Sequence, residues 1–125
     1  MLEKEIIDYW TRRAPSYSEI NQKELCGRQK ELWTSYIMRH VQDAMPEREG
    51  IKALDIGAGP GFFSIILEMA GCEVTALDRN PAMMAEAKKN AGPLAEAIHY
   101  VEVDAEDVPL PMGSYDLIVT RNLTW

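Results

Sequence analysis

The 125-residue sequence has two cysteines, two histidines and no long apolar run. Cys26 and Cys72 are far apart and form no metal-ligand pattern, which favours two reduced thiols in a cytoplasmic protein. No segment approaches the roughly 18 consecutive apolar residues of a membrane span. The charged N-terminus also lacks the apolar centre of a signal peptide. The sequence therefore predicts a soluble protein in the cytoplasm.

An excess of basic charge is also absent. The formal net charge is −7 and the pI is about 4.8, which argues against a general nucleic-acid binder or a membrane-surface protein. His40 falls in a predicted helix and His99 in a predicted strand, and no Ser-His-Asp, Cys-His or metal-ligand arrangement is recognisable. We therefore expect no metal, no nucleic-acid partner, no membrane contact and no catalytic nucleophile, in a chain whose length suits one domain.

Glycine is concentrated in one stretch, Leu54-Asp55-Ile56-Gly57-Ala58-Gly59-Pro60-Gly61. The apolar run 51–56 before it predicts a buried strand, and the apolar residues from Phe62 onwards predict a helix that ends at Gly71. Glycines in a strand-to-helix turn let the backbone turn sharply and approach a ligand. The helix start adds unpaired N–H groups and a positive dipole end. The stretch is predicted to be a ligand-binding loop.

The spacing of these glycines separates the possible ligands. A dinucleotide fingerprint reads G-x-G-x-x-G, whereas this chain reads G-x-G-x-G and has Phe62 in the place of the third glycine. A phosphate-binding P-loop would need a Gly-Lys-Ser/Thr ending, and none is present. The string D-I-G-A-G-P-G instead resembles motif I of the class I S-adenosylmethionine-dependent methyltransferases.

The first 49 residues are predicted to be a helical arm. Residues 1–13 form one short helix, the segment 14–16 breaks it because proline disfavours helical geometry in the residue before it, and a second helix runs over about 18–44. A polar connection, 45–50, follows.

The aromatic-basic stretch 9–17 is similar to a W-x-x-R-A-x-x-Y-like segment that covers the cofactor in many small-molecule methyltransferases. This resemblance makes Tyr17 a candidate cofactor-side residue. The alternative is that the aromatic residues of this stretch pack the arm onto the domain.

From residue 50 onwards strands and helices alternate. Strands are predicted over 73–78, 98–103 and 115–120. A helix begins at Asn80-Pro81 and ends near residues 90–92, and an irregular loop covers 105–114. This order predicts an α/β, Rossmann-like three-layer sandwich with a parallel sheet, truncated after the fourth strand and preceded by N-terminal helices. We expect residues 1–49 to form the arm or lid and residues 50–125 an S-adenosylmethionine-binding half-domain.

Polar residues follow each predicted strand, where ligands of parallel sheets bind. Asp78 can accept hydrogen bonds from both hydroxyls of a ribose, although it could also serve only the start of the next helix. Asp104 could also belong to a plain acidic turn. Arg121 and Asn122 could be an ordinary polar strand exit.

The family resemblance, which covers about residues 9–125, gives these positions roles. It implies that the backbones of Gly57 and Gly59 line the methionine part of the cofactor, with Asp55 near its ammonium. It implies that Asp78 holds the ribose and that Met83 is an apolar neighbour of the adenine. It implies that Asp104 and Ala105 hold the adenine edge, and that Arg121 and Asn122 lie beside the methionine and face the substrate. The full set of implied cofactor-binding residues is Tyr17, Asp55, Gly57, Ala58, Gly59, Gly61, Asp78, Arg79, Met83, Asp104, Ala105, Arg121 and Asn122.

The resemblance implies S-adenosylmethionine-dependent methyl transfer to a small-molecule acceptor, with S-adenosylhomocysteine as product. Neither a general base nor the acceptor can be read from the sequence. The family domain normally continues with three further strands, so this chain is expected to supply the cofactor-binding part. Two alternatives are a non-catalytic module that binds S-adenosylmethionine or S-adenosylhomocysteine, and a nicotinamide-dependent oxidoreductase.

Self-association is also expected. The resembled fold orders its strands 3-2-1-4, which leaves the strand 115–120 at an exposed edge. This strand has an apolar run without proline or lysine, and the free N–H and C=O groups of such an edge recruit another strand. A homodimer is predicted, joined near the fourth strand or through the N-terminal helices.

Overall fold

The computed structural model of the chain describes residues 2–103 and 114–120. Two long helices come first, and strands then alternate with helices. The elements are α1 (Leu2–Cys26), α2 (Arg28–Ala44), β1 (Lys52–Ile56), α3 (Phe62–Met69), β2 (Glu73–Asp78), α4 (Pro81–Ala91), a 3-10 turn (Gly92–Glu96), β3 (His99–Glu102) and β4 (Leu117–Thr120). The predicted α/β order is therefore present.

The four strands form one parallel sheet in the order β3-β2-β1-β4. This confirms the predicted strand order. The β1–α3–β2 and β2–α4–β3 connections both step in the same direction, so the right-handed crossover rule places α3 and α4 on one face of the sheet. The chain then steps past β1 to reach β4, and the order of strands reverses between β1 and β4. Ligands of such sheets bind at the carboxyl ends of the strands beside this reversal.

The core lies between the sheet and α3. Every residue from Phe62 to Leu67 is buried, and so are the inner residues of β1 and most of those of β2. The second helix covers α3 through Ile37 and Val41, and the rings of Trp33 and Phe63 meet edge to face with centroids 5.4 Å apart. Because the first six residues of α3 are buried, the loop that leads into it has a rigid support.

The N-terminal helices differ from the sequence prediction. A break at residues 14–16 is wrong, because α1 continues through Pro15 and the helices separate at Gly27 instead. Proline inside a helix removes one hydrogen bond and crowds the preceding turn, but Ala14 beside it is 2% exposed and α4 is hydrogen-bonded to α1 on both sides of the proline. Tertiary contacts therefore override the local signal. No described helix, α1 included, is apolar enough along its length to cross a membrane.

The ends of the other elements agree with prediction to within a few residues. Asn80 caps α4 as expected, its Oδ1 accepting from the N–H groups of Ala82 and Met83. The fourth strand starts at Leu117, since the carboxylate of Asp116 accepts from the Lys52 N–H (3.0 Å) at the sheet's start. Most of the predicted loop 105–114 lies outside the described residues.

Candidate cofactor site

The loop between β1 and α3 turns through three glycines in the left-handed region. Gly57, Gly59 and Gly61 have φ angles of 68°, 56° and 95°. A residue with a Cβ atom rarely adopts such angles. The glycine stretch therefore makes the sharp strand-to-helix turn that the sequence predicts.

Two hydrogen bonds hold this loop against β2. The Ala58 N–H donates to the Leu77 carbonyl (2.8 Å), and the Gly59 N–H donates to Asp78 Oδ2 (2.8 Å). Leu77 and Asp78 are the last two residues of β2. The loop and the carboxyl end of the neighbouring strand thus form one hydrogen-bonded unit.

Asp78 is the acidic centre of this unit. Its Oδ1 accepts from the Asn80 N–H (2.9 Å) while its Oδ2 accepts from Gly59. Burial raises the pKa of this carboxyl; the N–H groups of Asn80 and Gly59 and the charge of Arg79 oppose the rise. Each carboxylate oxygen has two lone pairs. Asp78 therefore keeps the capacity to accept further hydrogen bonds from a ligand.

The space beside Gly59 is open. A Cβ atom built there would have no neighbour nearer than the Gly57 carbonyl oxygen, 4.0 Å away. At Gly61 the same test gives the opposite result, because a Cβ would lie 3.1 Å from the Cβ of Ala87 in α4. Gly59 therefore leaves room for a ligand to approach the backbone, and Gly61 lets α4 pack against the loop.

Asp55 lies deeper than the other candidate acids. It is 1% exposed, and its Oδ2 accepts from the Ser64 hydroxyl (2.7 Å) in the first turn of α3. This contact ties β1 to the helix start beneath the glycine loop. Met83, in the first turn of α4, is also buried, with 4% of its surface exposed.

The structure brings the predicted residues of the glycine loop together with Asp78 and Arg79, and puts Met83 at the start of the next helix. Tyr17 lies in α1, and its side chain is outside the described part of the chain. Asp104, Ala105, Arg121 and Asn122 also lie outside the described residues. Within residues 2–103 and 114–120, no three His, Cys, Asp or Glu side chains are grouped as metal ligands.

Sequence reasoning missed one residue that touches this loop. The side-chain amide of Asn90, near the end of α4, donates from Nδ2 to the Pro60 carbonyl (3.0 Å). In the sequence Asn90 marks only the end of a helix. No local pattern announces a contact between residues 30 positions apart, so only the fold reveals it.

Comparison with known proteins points to one family. Residues 54–125, more than half of the chain, match the methyltransferase domain family. The chain is 35% identical over 111 residues to a malonyl-(acyl-carrier protein) O-methyltransferase from Enterobacter lignolyticus, a match that covers 86% of this chain and 37% of that protein. The corresponding enzyme from Erwinia billingiae is 37% identical over 107 residues, covering 85% and 37%. The chain thus spans little more than a third of the length of these relatives.

Solved structures agree. A protein from Methanococcus maripaludis, assigned as an S-adenosyl-L-methionine-dependent methyltransferase, superposes with a TM-score of 0.77 at 26% identity, covering 92% of this chain and 52% of the other. Magnesium protoporphyrin IX methyltransferase from Synechocystis, with bound S-adenosylhomocysteine, gives 0.60 at 20% identity, covering 77% and 42%, and shows the shared fold. Together with the glycine loop and its bond to Asp78, these matches place the chain in the class I S-adenosylmethionine-dependent methyltransferase family.

Proposed function

We propose that this chain binds S-adenosylmethionine and supplies the cofactor-binding part of an enzyme that methylates a small-molecule acceptor. The observation that carries the proposal is the hydrogen bond between the Gly59 N–H and Asp78 Oδ2. It fixes a ligand-accessible backbone turn beside a carboxylate with lone pairs to spare. A molecule with a ribose and an amino-acid tail fits these two groups together.

The roles of the described residues follow from their positions. Asp78 accepts from the ribose hydroxyls, and Arg79 offsets part of its charge. The open backbone at Gly59 borders the methionine part, with Gly57 and Ala58 forming the same turn. Asp55 acts from beneath the loop, where its buried carboxyl group accepts from the Ser64 hydroxyl and holds the start of α3.

Six further assignments rest on the family resemblance. Met83 borders the adenine, Asp104 and Ala105 hold the adenine edge, and Arg121 and Asn122 face the methionine and the substrate. Tyr17, on the arm, lies on the cofactor side.

The chemistry requires little of the protein beyond placement. S-adenosylmethionine, when bound, supplies a methyl group activated by a sulfonium. The chain's own residues bind and orient it, and orientation together with exclusion of water is the larger part of catalysis in such transfers. No residue of the described chain is assigned as a general base.

The relatives suggest which acceptor to test first. Two of them are named for O-methylation of malonyl-(acyl-carrier protein). We therefore propose a carboxyl group as a first candidate acceptor. A non-catalytic module that binds S-adenosylhomocysteine is the alternative, and methylation of malonyl thioesters would separate the two.

The free thiols Cys26 and Cys72 support a reducing, cytoplasmic location.

Binding of the cofactor is the first experiment. We expect isothermal titration calorimetry to show S-adenosylhomocysteine binding at a one-to-one ratio, and no heat with NADH at the same concentration. The loop of this chain lacks the third glycine of the dinucleotide-binding fingerprint, since Phe62 stands in that place and is 3% exposed. Binding of NADH, with none of S-adenosylhomocysteine, would favour the oxidoreductase and contradict this proposal.

We also propose that the chain forms homodimers. Among the described residues β4 pairs only with β1, and Ile118 on β4 is 40% exposed. An unpaired strand edge attracts a second strand, and a partly exposed apolar fold associates in about the micromolar range. Size-exclusion chromatography with light scattering should give roughly twice the 14.1 kDa chain mass. A stable monomer at tens of micromolar, roughly the range of such association, would contradict the dimer.

A further inference from the structure

Asn90 joins three parts of the molecule. It lies one residue before the end of α4, and its Nδ2 donates to the Pro60 carbonyl of the glycine loop (3.0 Å). Its Oδ1 accepts from Gln22 Nε2 (3.0 Å) and from the Ser18 hydroxyl (3.3 Å), both on α1. One side chain thus contacts the N-terminal arm and the loop at the same time.

The chemistry of these partners fixes the orientation of the amide. A backbone carbonyl can only accept, so the NH₂ group of Asn90 must face Pro60. Its oxygen then faces α1, where the Gln22 amide donates to it. Ser18, 3% exposed, both donates to the amide oxygen and accepts from Nδ2 (3.1 Å). The arm therefore holds the side chain in the orientation that serves the loop.

A second contact connects the same arm to the other side of the site. Asn80 Nδ2 donates to the Ile7 carbonyl (2.9 Å) and to Thr11 Oγ1 (3.0 Å) of α1. The backbone N–H of the same residue donates to Asp78 Oδ1. The arm is thus attached beside the acid as well as beside the glycine turn.

We infer that Asn90 is a positioning residue: under the control of α1, it fixes the Pro60 carbonyl and so sets the shape and affinity of the cofactor loop. The inference rests on the proposed function for its ligand, although the positioning itself is a property of the free protein. Coupling of this kind is reciprocal. If docked α1 raises the affinity for the cofactor by some factor, bound cofactor should therefore favour the docking of α1 by the same factor.

Asn90→Asp tests the amide with almost no change in shape. The variant keeps the acceptor for Gln22 and Ser18, but it turns a second acceptor toward the Pro60 carbonyl. We expect affinity for S-adenosylhomocysteine to fall about fivefold, the usual effect of one lost hydrogen bond. Gln42→Glu, the same amide-to-carboxylate change at an exposed site on α2, should leave affinity unchanged. Asn90→Ala, which favours the helix, serves if the aspartate variant does not fold.

A double-mutant cycle tests whether α1 acts through Asn90. Ser18→Ala should weaken S-adenosylhomocysteine binding in the wild-type background and have no further effect beside Asn90→Ala, since the residue that it orients is then absent. Equal effects of Ser18→Ala in both backgrounds would overturn the inference, because they would mean that α1 acts by another route.

Amide hydrogen exchange of the ligand-free protein separates this inference from the proposed function. In Asn90→Asp and Asn90→Ala the amides of Gly59 and Gly61 should exchange several-fold faster, while those of Leu54 and Ala76 in the core strands should not change. Unchanged loop exchange would overturn the inference, even if affinity fell. If wild type binds no S-adenosylhomocysteine, the proposed function fails, and faster loop exchange in the variants would still support the positioning role.

Discussion

Replacing Asp78 by alanine is expected to weaken S-adenosylhomocysteine binding by roughly 10- to 150-fold, which corresponds to a loss of about 1.5–3 kcal/mol for a charge-assisted hydrogen bond. The carboxylate is the proposed acceptor for the ribose hydroxyls. It is also the acceptor for the Gly59 N–H, 2.8 Å away. The substitution removes a ligand contact and loosens the loop that forms the rest of the site.

Titration calorimetry measures this loss, and Asp43→Ala is the matched control because Asp43 is exposed on α2. The control should bind as wild type does. Unchanged affinity in Asp78→Ala would contradict the assignment of the ribose site. Asp78→Asn gives little relief, since its NH₂ group would face either the Gly59 or the Asn80 donor.

The same residue makes stability and affinity respond to pH in opposite directions. Burial raises the pKa of Asp78 above its usual value of 3.8, so the folded chain holds this proton more tightly than the unfolded chain. The stability that neutral Asp78 contributes is fully present below pH 3.8 and is lost as the pH rises through the folded-state pKa. Affinity needs the carboxylate and should rise over the same interval. Asp78→Ala should lack both changes.

Gly61→Ala is expected to lower the free energy of unfolding by roughly 2–5 kcal/mol. Forcing a residue with a Cβ into the left-handed region costs about 1–2 kcal/mol, and overpacking adds about 1–3 kcal/mol. Gly61 has φ 95°, and its new Cβ would lie 3.1 Å from the Cβ of Ala87 and 3.4 Å from the Cα. Neither atom belongs to a flexible side chain that could move away.

Two variants divide this loss into its causes. Gly71 has φ 94° and nothing within 4 Å of its missing Cβ, so Gly71→Ala should show only the backbone strain. Ala87→Gly removes the atom that Gly61→Ala would strike, so the double variant should lose less than the sum of the single ones. Urea denaturation measures all four proteins. Equal losses for Gly61→Ala and Gly71→Ala would show that the contact with α4 contributes nothing.

Gly59→Ala provides the functional counterpart. Its Cβ would meet no atom nearer than 4.0 Å, so the fold loses only the strain of φ 56°. In the proposed site the ligand needs the space that the new Cβ fills, so we expect Gly59→Ala to weaken S-adenosylhomocysteine binding in titration calorimetry. Of these two glycines, Gly61 serves packing and Gly59 is proposed to serve binding, a distinction that their spacing in the sequence does not reveal.

The sequence was sufficient to predict the parts of the fold that depend on local pattern. The family resemblance predicted the order of the strands. Apolar runs bounded by glycine and proline predicted the four strands themselves, and the Asn80-Pro81 pair predicted the start of α4. These signals arise from backbone preferences that act over a few residues. They predicted the glycine loop and the acid at the end of β2 for the same reason.

The unbroken course of α1 through Pro15 could not be predicted in this way. Pro15 signals a break, but the helix is held by contacts with residues more than 60 positions away. The face of α1 that is buried includes the small and polar residues Ala14, Ser18 and Asn21. Apolar periodicity cannot detect such a face, and Asn90 carries no signal at all until its partners are brought to it.

The two asparagines make the fit of α1 a matter of length. Asn80 and Asn90 are ten residues apart, and they attach to points on α1 that begin at Ile7 and Ser18, eleven residues apart. At 1.5 Å per residue the two spacings are nearly equal, about 15 Å and about 16.5 Å. The two helices therefore run in the same direction, and the spacing of the contact points on one helix matches the spacing on the other. An insertion or deletion between the two contact points of either helix would allow only one of the two asparagine contacts to form. Variation in this arm should consequently appear as substitutions within a fixed length, with insertions and deletions confined to its ends.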